Sequence, residues 1–320
     1  MLDLKNKKVL VTGAVSMINS QIVKKLKLRG AIVDPVYHNQ TDLLSESAVN
    51  DRFNHSKPDY LIHGATYSGN IKFNLALPQT VFYRSTLMGM NVLNAASSHK
   101  VKKVVCLLTS CGYPGNISGM LSEDQFLMGR PHETVACHGD AKRALFLYGQ
   151  MTYKQYGMPC HGVIFNNCYG EETFDLERTK VLGSLIKKIK DAKAQNKPEI
   201  IIWGSGQPRR EFLHAEDAAE GAIQVLESYD DINLPLNIGW GTDQTILELA
   251  EKIKRLSEYD GNLVLDLSKP DGQMQKLLNV DRMKKLLQWK PQIDLETGIL
   301  KTIWYYDYIT HKQKFAESYR

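Results

Sequence analysis

The chain has 320 residues, a formal net charge of +5, 43% hydrophobic residues and 23% charged residues. This is the balance of a globular enzyme with room for two lobes, and it excludes a disordered or low-complexity chain. No apolar run approaches the roughly 18 residues of a membrane span, and the N-terminus has no signal-peptide core. Five scattered cysteines (106, 111, 137, 160 and 168) show neither metal-ligand spacing nor the even number of a disulfide framework. A reducing, cytoplasmic setting without a metal site is therefore expected. The positive charge suits an anionic small ligand. It does not point to nucleic acid, because the lysines alternate with acids along solvated helix faces and no basic-aromatic pattern accompanies them.

Through the first 115 residues, short apolar runs alternate with helical patterns, at 8–12, 19–29, 31–36, 60–65, 79–98 and 104–109. That rhythm predicts βαβ units and an α/β, Rossmann-like, doubly wound parallel sheet. A loop rich in Gly, Pro and polar residues follows at 112–136, then a helix at 138–156 and a strand at 161–166. Further on come a helix at 180–194, the strand Ile200-Ile201-Ile202-Trp203, and helices at 215–228, 245–257, 280–287 and 296–309 among short strands. Thr245 and Glu248 have the spacing of a capping box. The expected division is a dinucleotide-binding domain over 1–170, which also takes strand and helix from about 195–240. A smaller C-terminal α/β lobe over 171–320 would bind substrate. The polar end, 311–320, is expected to fray.

Two segments carry candidate chemistry. The first joins the opening strand to its helix, Val9-Leu-Val-Thr-Gly-Ala-Val-Ser-Met-Ile-Asn-Ser20. A dinucleotide turn takes glycine at three spaced positions: for the turn, for close approach to pyrophosphate, and for helix–sheet packing. Gly13 supplies the first, while Ser16 and Asn19 occupy the second and third. Ser16 crowds the pyrophosphate but offers it a hydroxyl, and Asn19 demands a smaller neighbour. Asp34, in the next strand, has the spacing of the acid that binds an adenosine ribose in NAD sites, with His38 nearby, and NAD against NADP is left open. The second segment is Leu107-Leu-Thr-Ser-Cys-Gly-Tyr-Pro114. It places Thr109 and Cys111 at the carboxyl end of a buried strand, where doubly wound folds bind ligands. A hydroxyl there donates to a substrate oxygen, and a thiol moves a proton on the adjacent carbon.

Together with Asn167-Cys-Tyr-Gly170, Trp203-Gly-Ser-Gly-Gln-Pro-Arg-Arg-Glu-Phe-Leu-His214, Glu216-Asp217 and Ser268-Lys-Pro-Asp-Gly272, these segments resemble a known family. It is the extended short-chain dehydrogenase/reductases of NAD-dependent epimerase/dehydratase type that act on nucleotide sugars. The likeness is greatest to the GDP-L-fucose synthases and spans roughly 7–309. It implies an epimerase/reductase of a 4-keto sugar nucleotide, GDP-linked, using NADP or NAD.

In such enzymes a hydroxyl, a tyrosine and a lysine spaced Y-x-x-x-K handle the sugar C4 oxygen. Here that pattern reads His138-Gly-Asp-Ala-Lys142, with His138 in the tyrosine's place, Lys142 as the lysine and Thr109 as the hydroxyl. The resemblance makes Cys111 and Lys180 the acid/base pair that epimerises on opposite faces of the ring. It makes Asn167, Lys187, Trp203, Arg210 and Asp271 the residues that hold the nucleotide sugar, with Trp203 against the nucleotide and Arg210 on the pyrophosphate. A homodimer through the helices near 79–98 and 138–156 is also implied. The departures at Ser16, Asn19 and His138 leave two alternatives: a redox-free 3,5-epimerase using Cys111 and Lys180, with dinucleotide binding weakened or lost, and a pseudoenzyme that binds a sugar nucleotide.

Overall fold

The computed structural model describes residues 2–117, 119–175, 179–269 and 271–317, with side chains to 312. In chain order the larger lobe begins with β1 (Lys8–Thr12), α1 (Met17–Leu28), β2 (Ile32–Val36), α2 (Glu46–Ser56), β3 (Tyr60–His63), α3 (Ile71–Ala76), α4 (Pro78–Ser98) and β4 (Lys103–Thr109). After these come β5 (Met120–Leu121), α5 (Ala136–Tyr156), β6 (Cys160–Phe165), β7 (Asn167–Tyr169) and α6 (Val181–Ala194). The chain continues through β8 (Glu199–Trp203), β9 (Arg209–Arg210), β10 (Phe212–His214), α7 (Ala215–Ser228) and β11 (Leu236–Ile238). It ends with β12 (Gln244–Thr245), α8 (Ile246–Leu256), β13 (Asn262–Asp266), β14 (Gln275–Leu278), α9 (Asp281–Leu287) and α10 (Leu295–Glu317).

Six strands form a parallel sheet in the order β11-β6-β4-β3-β1-β2. Val9, Val11, Leu61, Ile62, Val104, Val105, Val163 and Ile164 are all fully buried. That is why these strands read as unbroken apolar runs: each is covered on both faces. Helices α5 and α7 both touch β4 and β6, while α4 packs on α5 and α1 on α7, so the two helix pairs cover opposite faces. The chain reverses direction of travel across the sheet between β1 and β3, and ligand crevices of doubly wound folds open at that point. No helix among the described residues is long and apolar enough to cross a membrane.

The smaller lobe packs α6, α8 and α10 around the parallel pair β8–β13, with Leu185, Ile186, Ile189, Ile202, Leu249, Ile253 and Ile299 at its centre. A second small sheet, β12-β9-β14-β5, joins this lobe to the loop at 112–136. From the segment near 195–240, the large sheet takes only β11, with α7 packed on it; β8 pairs inside the smaller lobe. Helix α2 is unforeseen because its buried stripe is only Val49 and Phe53. Helix α10 continues through 317, past the start of the segment expected to fray, and 318–320 lie outside the described residues. The Thr245 capping box forms, with Glu248 N–H donating to Thr245 Oγ1 at 3.0 Å and Thr245 N–H to Glu248 Oε2 at 2.7 Å.

The tightest packing of α1 against the sheet lies at Asn19. Its side chain is 1% exposed, and its amide donates to the carbonyls of Thr12 and Gly13 at 3.1 Å each. Directly opposite is Gly64, where an added Cβ would lie 2.7 Å from Asn19 Cγ and overlap the amide atoms. The smaller neighbour that Asn19 demands is therefore Gly64. Gly64→Ala is expected to lose about 1–3 kcal/mol in denaturant unfolding, and Asn19→Ala in the same chain to recover part of it. An alanine at 64 with an unchanged unfolding midpoint would contradict this packing.

Candidate active site

The β1–α1 turn is built for close approach. Gly13 has φ +71°, and a Cβ there would meet the Ala65 backbone at 2.9 Å. Ser16 is the exposed N-cap of α1, and its hydroxyl caps no helix amide. The first-turn amides and the Ser16 hydroxyl are thus available to a pyrophosphate, as helix N-termini in such folds are. Asn19 is tucked sideways against Gly64, clear of that path. These residues fit a nicotinamide dinucleotide. Asp34 sits in the middle of β2, where its carboxylate pairs with Arg52, and Arg52 also donates to the Pro35 carbonyl at 3.2 Å. One carboxylate oxygen of Asp34 is thus engaged by Arg52, while Oδ2 is buried without a hydrogen-bond partner. His38 lies exposed just beyond the strand.

At the carboxyl end of β4, Thr109 caps a single turn of 3-10 helix, Ser110–Gly112, and its Oγ1 accepts the Cys111 N–H at 3.3 Å. Ser110 donates to Asn166 Oδ1 at 2.9 Å, and Asn166 Nδ2 donates to the Lys276 carbonyl at 2.8 Å. Helix α5 runs against this turn at Gly139, where a Cβ would fall 2.9 Å from the Cys111 carbonyl carbon. That contact fixes His138 and Lys142, one helical turn apart, beside the cysteine.

Electrostatics then sort these groups. Burial, followed by the charges of Lys142, Lys180 and Lys276, drives the His138 imidazole down to about 3, and its Nδ1 has no hydrogen-bond partner. Burial pulls Lys142, 5% exposed, down to about 8. Burial alone would raise the Cys111 thiol. The Lys276 charge, a hydrogen bond from Thr109 and the Lys180 charge outweigh it, and the thiol falls below its ordinary value. Lys180, at the N-cap of α6, also acts on Cys168 and on Glu172, whose carboxyl burial raises to about 7.

Thr109, Cys111, His138, Lys142 and Lys180 are thus brought together beyond the end of β4. A further residue joins them unforeseen: Lys276 of β14, with Nζ 3.7 Å from Cys111 Sγ. Its only sequence signal is a polar–apolar strand, Gln275-Lys276-Leu277-Leu278, and nothing local to it names the sulfur.

On the substrate side, Trp203 ends β8 with 66% of its surface exposed, and Lys188 and Lys269 stand 5.7 and 5.8 Å from its ring. Asp271 accepts from the Ser205 N–H at 2.9 Å and the Ser205 hydroxyl at 2.7 Å, closing the turn in which Gly204 takes φ +79°. Arg210 lies opposite Lys276 in register, with its guanidinium beside Gly272. The Asn167 amide is spent on Asn166 Oδ1 at 3.0 Å and on the Glu211 carbonyl at 2.9 Å, which makes it a structural tie between β7 and the strand bearing Arg210. Lys187 does not reach this side. It pairs with Asp191 at 2.9 Å and lies over Tyr306 of α10, while the next residue, Lys188, faces Trp203. The one-residue step, about 100° around a helix, separates the two faces.

Residues 9–239 match the model of the NAD dependent epimerase/dehydratase family. The chain belongs to that family. It is 33% identical over 305 residues to the GDP-L-fucose synthase of Escherichia coli K12, covering 92% of this chain and 95% of that protein. It is 32% identical to the GDP-L-colitose synthase of Yersinia pseudotuberculosis, over 93% of this chain and 97% of the other. Among solved structures, it superposes with a TM-score of 0.86 on a GDP-mannoheptose C4 reductase from Campylobacter jejuni with NADP bound. The identity there is 28%, over 94% of this chain and 98% of that one.

The depressed imidazole gives a direct check. With its folded value near 3, well under the ordinary 6.5, His138 stays neutral throughout the range in which an exposed histidine gains its proton. Its ring NMR signals are expected to stay fixed from pH 8 to pH 5. A His138 titration midpoint near 6.5 would show that burial and the surrounding lysines do not hold the ring neutral.

Proposed function

We propose that the protein epimerises and reduces a GDP-linked 4-keto sugar with a nicotinamide dinucleotide. The observation that carries this reading is the ionisable thiol of Cys111, set among Lys276, Lys180 and the Thr109–His138–Lys142 group in one cleft. Relatives named for GDP-fucose and GDP-colitose synthesis and for a GDP-heptose C4 reductase supply the substrate class.

The Cys111 thiolate takes a proton from C3 or C5, next to the C4 carbonyl, forming S–H as the C–H bond breaks. The charge moves to the C4 oxygen, where the Thr109 hydroxyl and an N–H of the neutral His138 imidazole donate to it. Lys180 returns a proton to the carbon from the opposite face, inverting it, and solvent restores both groups. Gly13, Ser16 and the α1 amides would hold the dinucleotide, which when bound supplies hydride at C4. Lys142, near 8, keeps its proton in most molecules at pH 7 and is the proton source for the reduced C4 oxygen. Trp203 stacks the base, and Arg210 and Lys188 take the pyrophosphate, where a bidentate guanidinium suits two phosphate oxygens. Asp271 acts by folding the Trp203–Ser205 turn. The pairing of Arg52 with Asp34 offsets the negative charge that would oppose a ribose 2′-phosphate, which favours NADP.

The test is solvent deuterium incorporation into a GDP-4-keto-6-deoxyhexose, with and without NADPH, read by mass spectrometry beside NADPH oxidation. Incorporation, reduction at C4, and a fall of at least about a hundredfold in Cys111→Ser and Lys180→Ala are expected. Incorporation without any NADPH oxidation would replace this reading with the redox-free epimerase. Silence in every assay would leave a sugar-nucleotide-binding pseudoenzyme.

We propose that the protein is also a homodimer through α4 and α5. These adjacent helices expose Phe82 and Tyr83 on one and Leu147 and Met151 on the other, a rim of large apolar groups that a partner would cover. Leu147→Glu with Met151→Glu is expected to halve the mass found by light scattering. A wild-type mass equal to one chain would overturn the dimer.

A further inference from the structure

We infer that Lys276 is the positioning residue for Cys111, and that its ammonium group, in contact with the sulfur, favours the thiolate more than Lys180 does. The consequence for turnover rests on the reading of Cys111 as the base; the ionisation itself does not.

The first observation is a direct contact. Lys276 Nζ lies 3.7 Å from Cys111 Sγ, hydrogen-bond distance for sulfur. Among the described residues no other cysteine sulfur has a lysine nitrogen as a hydrogen-bond partner. The contrast with the other thiols is informative. Cys160 is buried beside the Cys106 thiol, and burial pushes Cys168 up to about 12 in spite of the Lys180 charge. Cys137, beside Cys111 in the cleft, is also raised by burial. Burial also opposes ionisation of Cys111, and yet its thiol moves the opposite way. An ammonium group in contact is the ordinary physical means to that end.

The second observation is how firmly Lys276 is held. Strand β14 pairs with β9 on one side and β5 on the other. The Lys276 carbonyl accepts from Asn166, which is tied in turn to Ser110, the residue before Cys111. Two residues on, the Leu278 N–H donates at 3.1 Å to the fully buried Glu211 carboxylate. The lysine is thus aimed by a strand pinned on both edges and by a hydrogen-bonded chain that begins next to its target.

The groups that act on the sulfur or feel it come from several elements: Thr109 from β4, Cys137 from α5, Lys180 before α6, Arg210 from β9 and Lys276 from β14. None of these is a carboxylate. Lys180 contributes charge without a direct hydrogen bond, whereas Lys276 contributes both. This division leaves Lys180 free to give up its proton on the other ring face without disarming the thiolate. It also means that the smaller lobe sets the reactivity of a cysteine carried by the larger one.

The experiment is the pH dependence of Cys111 alkylation by iodoacetamide in the full-length protein, read on the Cys111 peptide by mass spectrometry with no substrate added. Lys276→Met is expected to move the midpoint up by about one unit and to slow alkylation at pH 7 about tenfold. Lys276→Arg should stay within about threefold of wild type, since a guanidinium keeps the charge, and Lys180→Met should shift the midpoint less than Lys276→Met. Should Lys276→Met melt below the assay temperature, Lys276→Gln takes its place, and the arginine variant still reports on charge. A Lys276→Met profile that superimposes on wild type overturns the inference, as does a larger shift in Lys180→Met. Because no sugar nucleotide enters the assay, a shifted thiol with no deuterium exchange would sink the proposed reaction and leave the Lys276 assignment standing.

Discussion

Burial beyond the end of β4, set against the positive charges of Lys276 and Lys180 beside the sulfur of Cys111, is the constraint from which most of the site follows. Burial disfavours the charged form of a group, while a nearby cation favours a thiolate and disfavours a second cation. Three groups register this balance. The Cys111 thiol falls below its ordinary value, burial and the lysine charges take His138 down to about 3, and burial brings Lys142 down to about 8. The remaining imbalance is one that an anionic ligand would settle. In the proposed reaction, a sugar nucleotide would bring its diphosphate to the Arg210 side and develop negative charge at the C4 oxygen on the Thr109 side. The same electrostatics that perturb the resting protein therefore favour both the bound state and the enolate-like transition state.

Such a cluster needs a scaffold that does not let the charges drift apart. The large sheet supplies one wall, because β4 ends where Thr109 and Cys111 begin and α5 is pressed onto that turn at Gly139. The small sheet β12-β9-β14-β5 supplies the other and carries Arg210 and Lys276 side by side. Glu211 ties that sheet down from beneath. Its carboxylate accepts from Gly241 and Leu278 N–H groups, and burial holds it near 7 in spite of those hydrogen bonds. The site lies where a wall from each lobe meets.

The sequence made the first wall legible and the second largely illegible, for a physical reason. Strand β4, the Thr109–Cys111 turn and the His138/Lys142 spacing are local features, set by apolar runs and helical periodicity. Lys276 is distant from Cys111 in the chain, and only the pairing of β14 with β5 and β9 brings them together, a register that a four-residue strand does not declare. Lys187 shows the limit on a finer scale. The segment that reaches the nucleotide side was found, but the choice between Lys187 and Lys188 depends on the rotation of α6 against α10, fixed by the Tyr306–Asp191 contact. Asp34 was legible as an acid of suitable spacing. Its partner on α2 was not, because that helix has too thin an apolar stripe to be seen.

The two altered sides of the site now separate. Loss of glycine at position 19 counts against dinucleotide binding only if the asparagine lies in the pyrophosphate's path. It lies instead in a recess that Gly64 leaves open, so the glycine has in effect moved from the helix to the residue that follows β3. The substitution at 138 has no such steric answer. A phenol beside a lysine can lose and regain its proton near neutral pH, whereas this imidazole, near 3, can only donate or accept a hydrogen bond. In the proposed reaction the acid that the tyrosine would have supplied is instead Lys142, brought down to about 8 by burial. On that reading, the desolvation that holds the imidazole neutral also prepares its replacement a helical turn away.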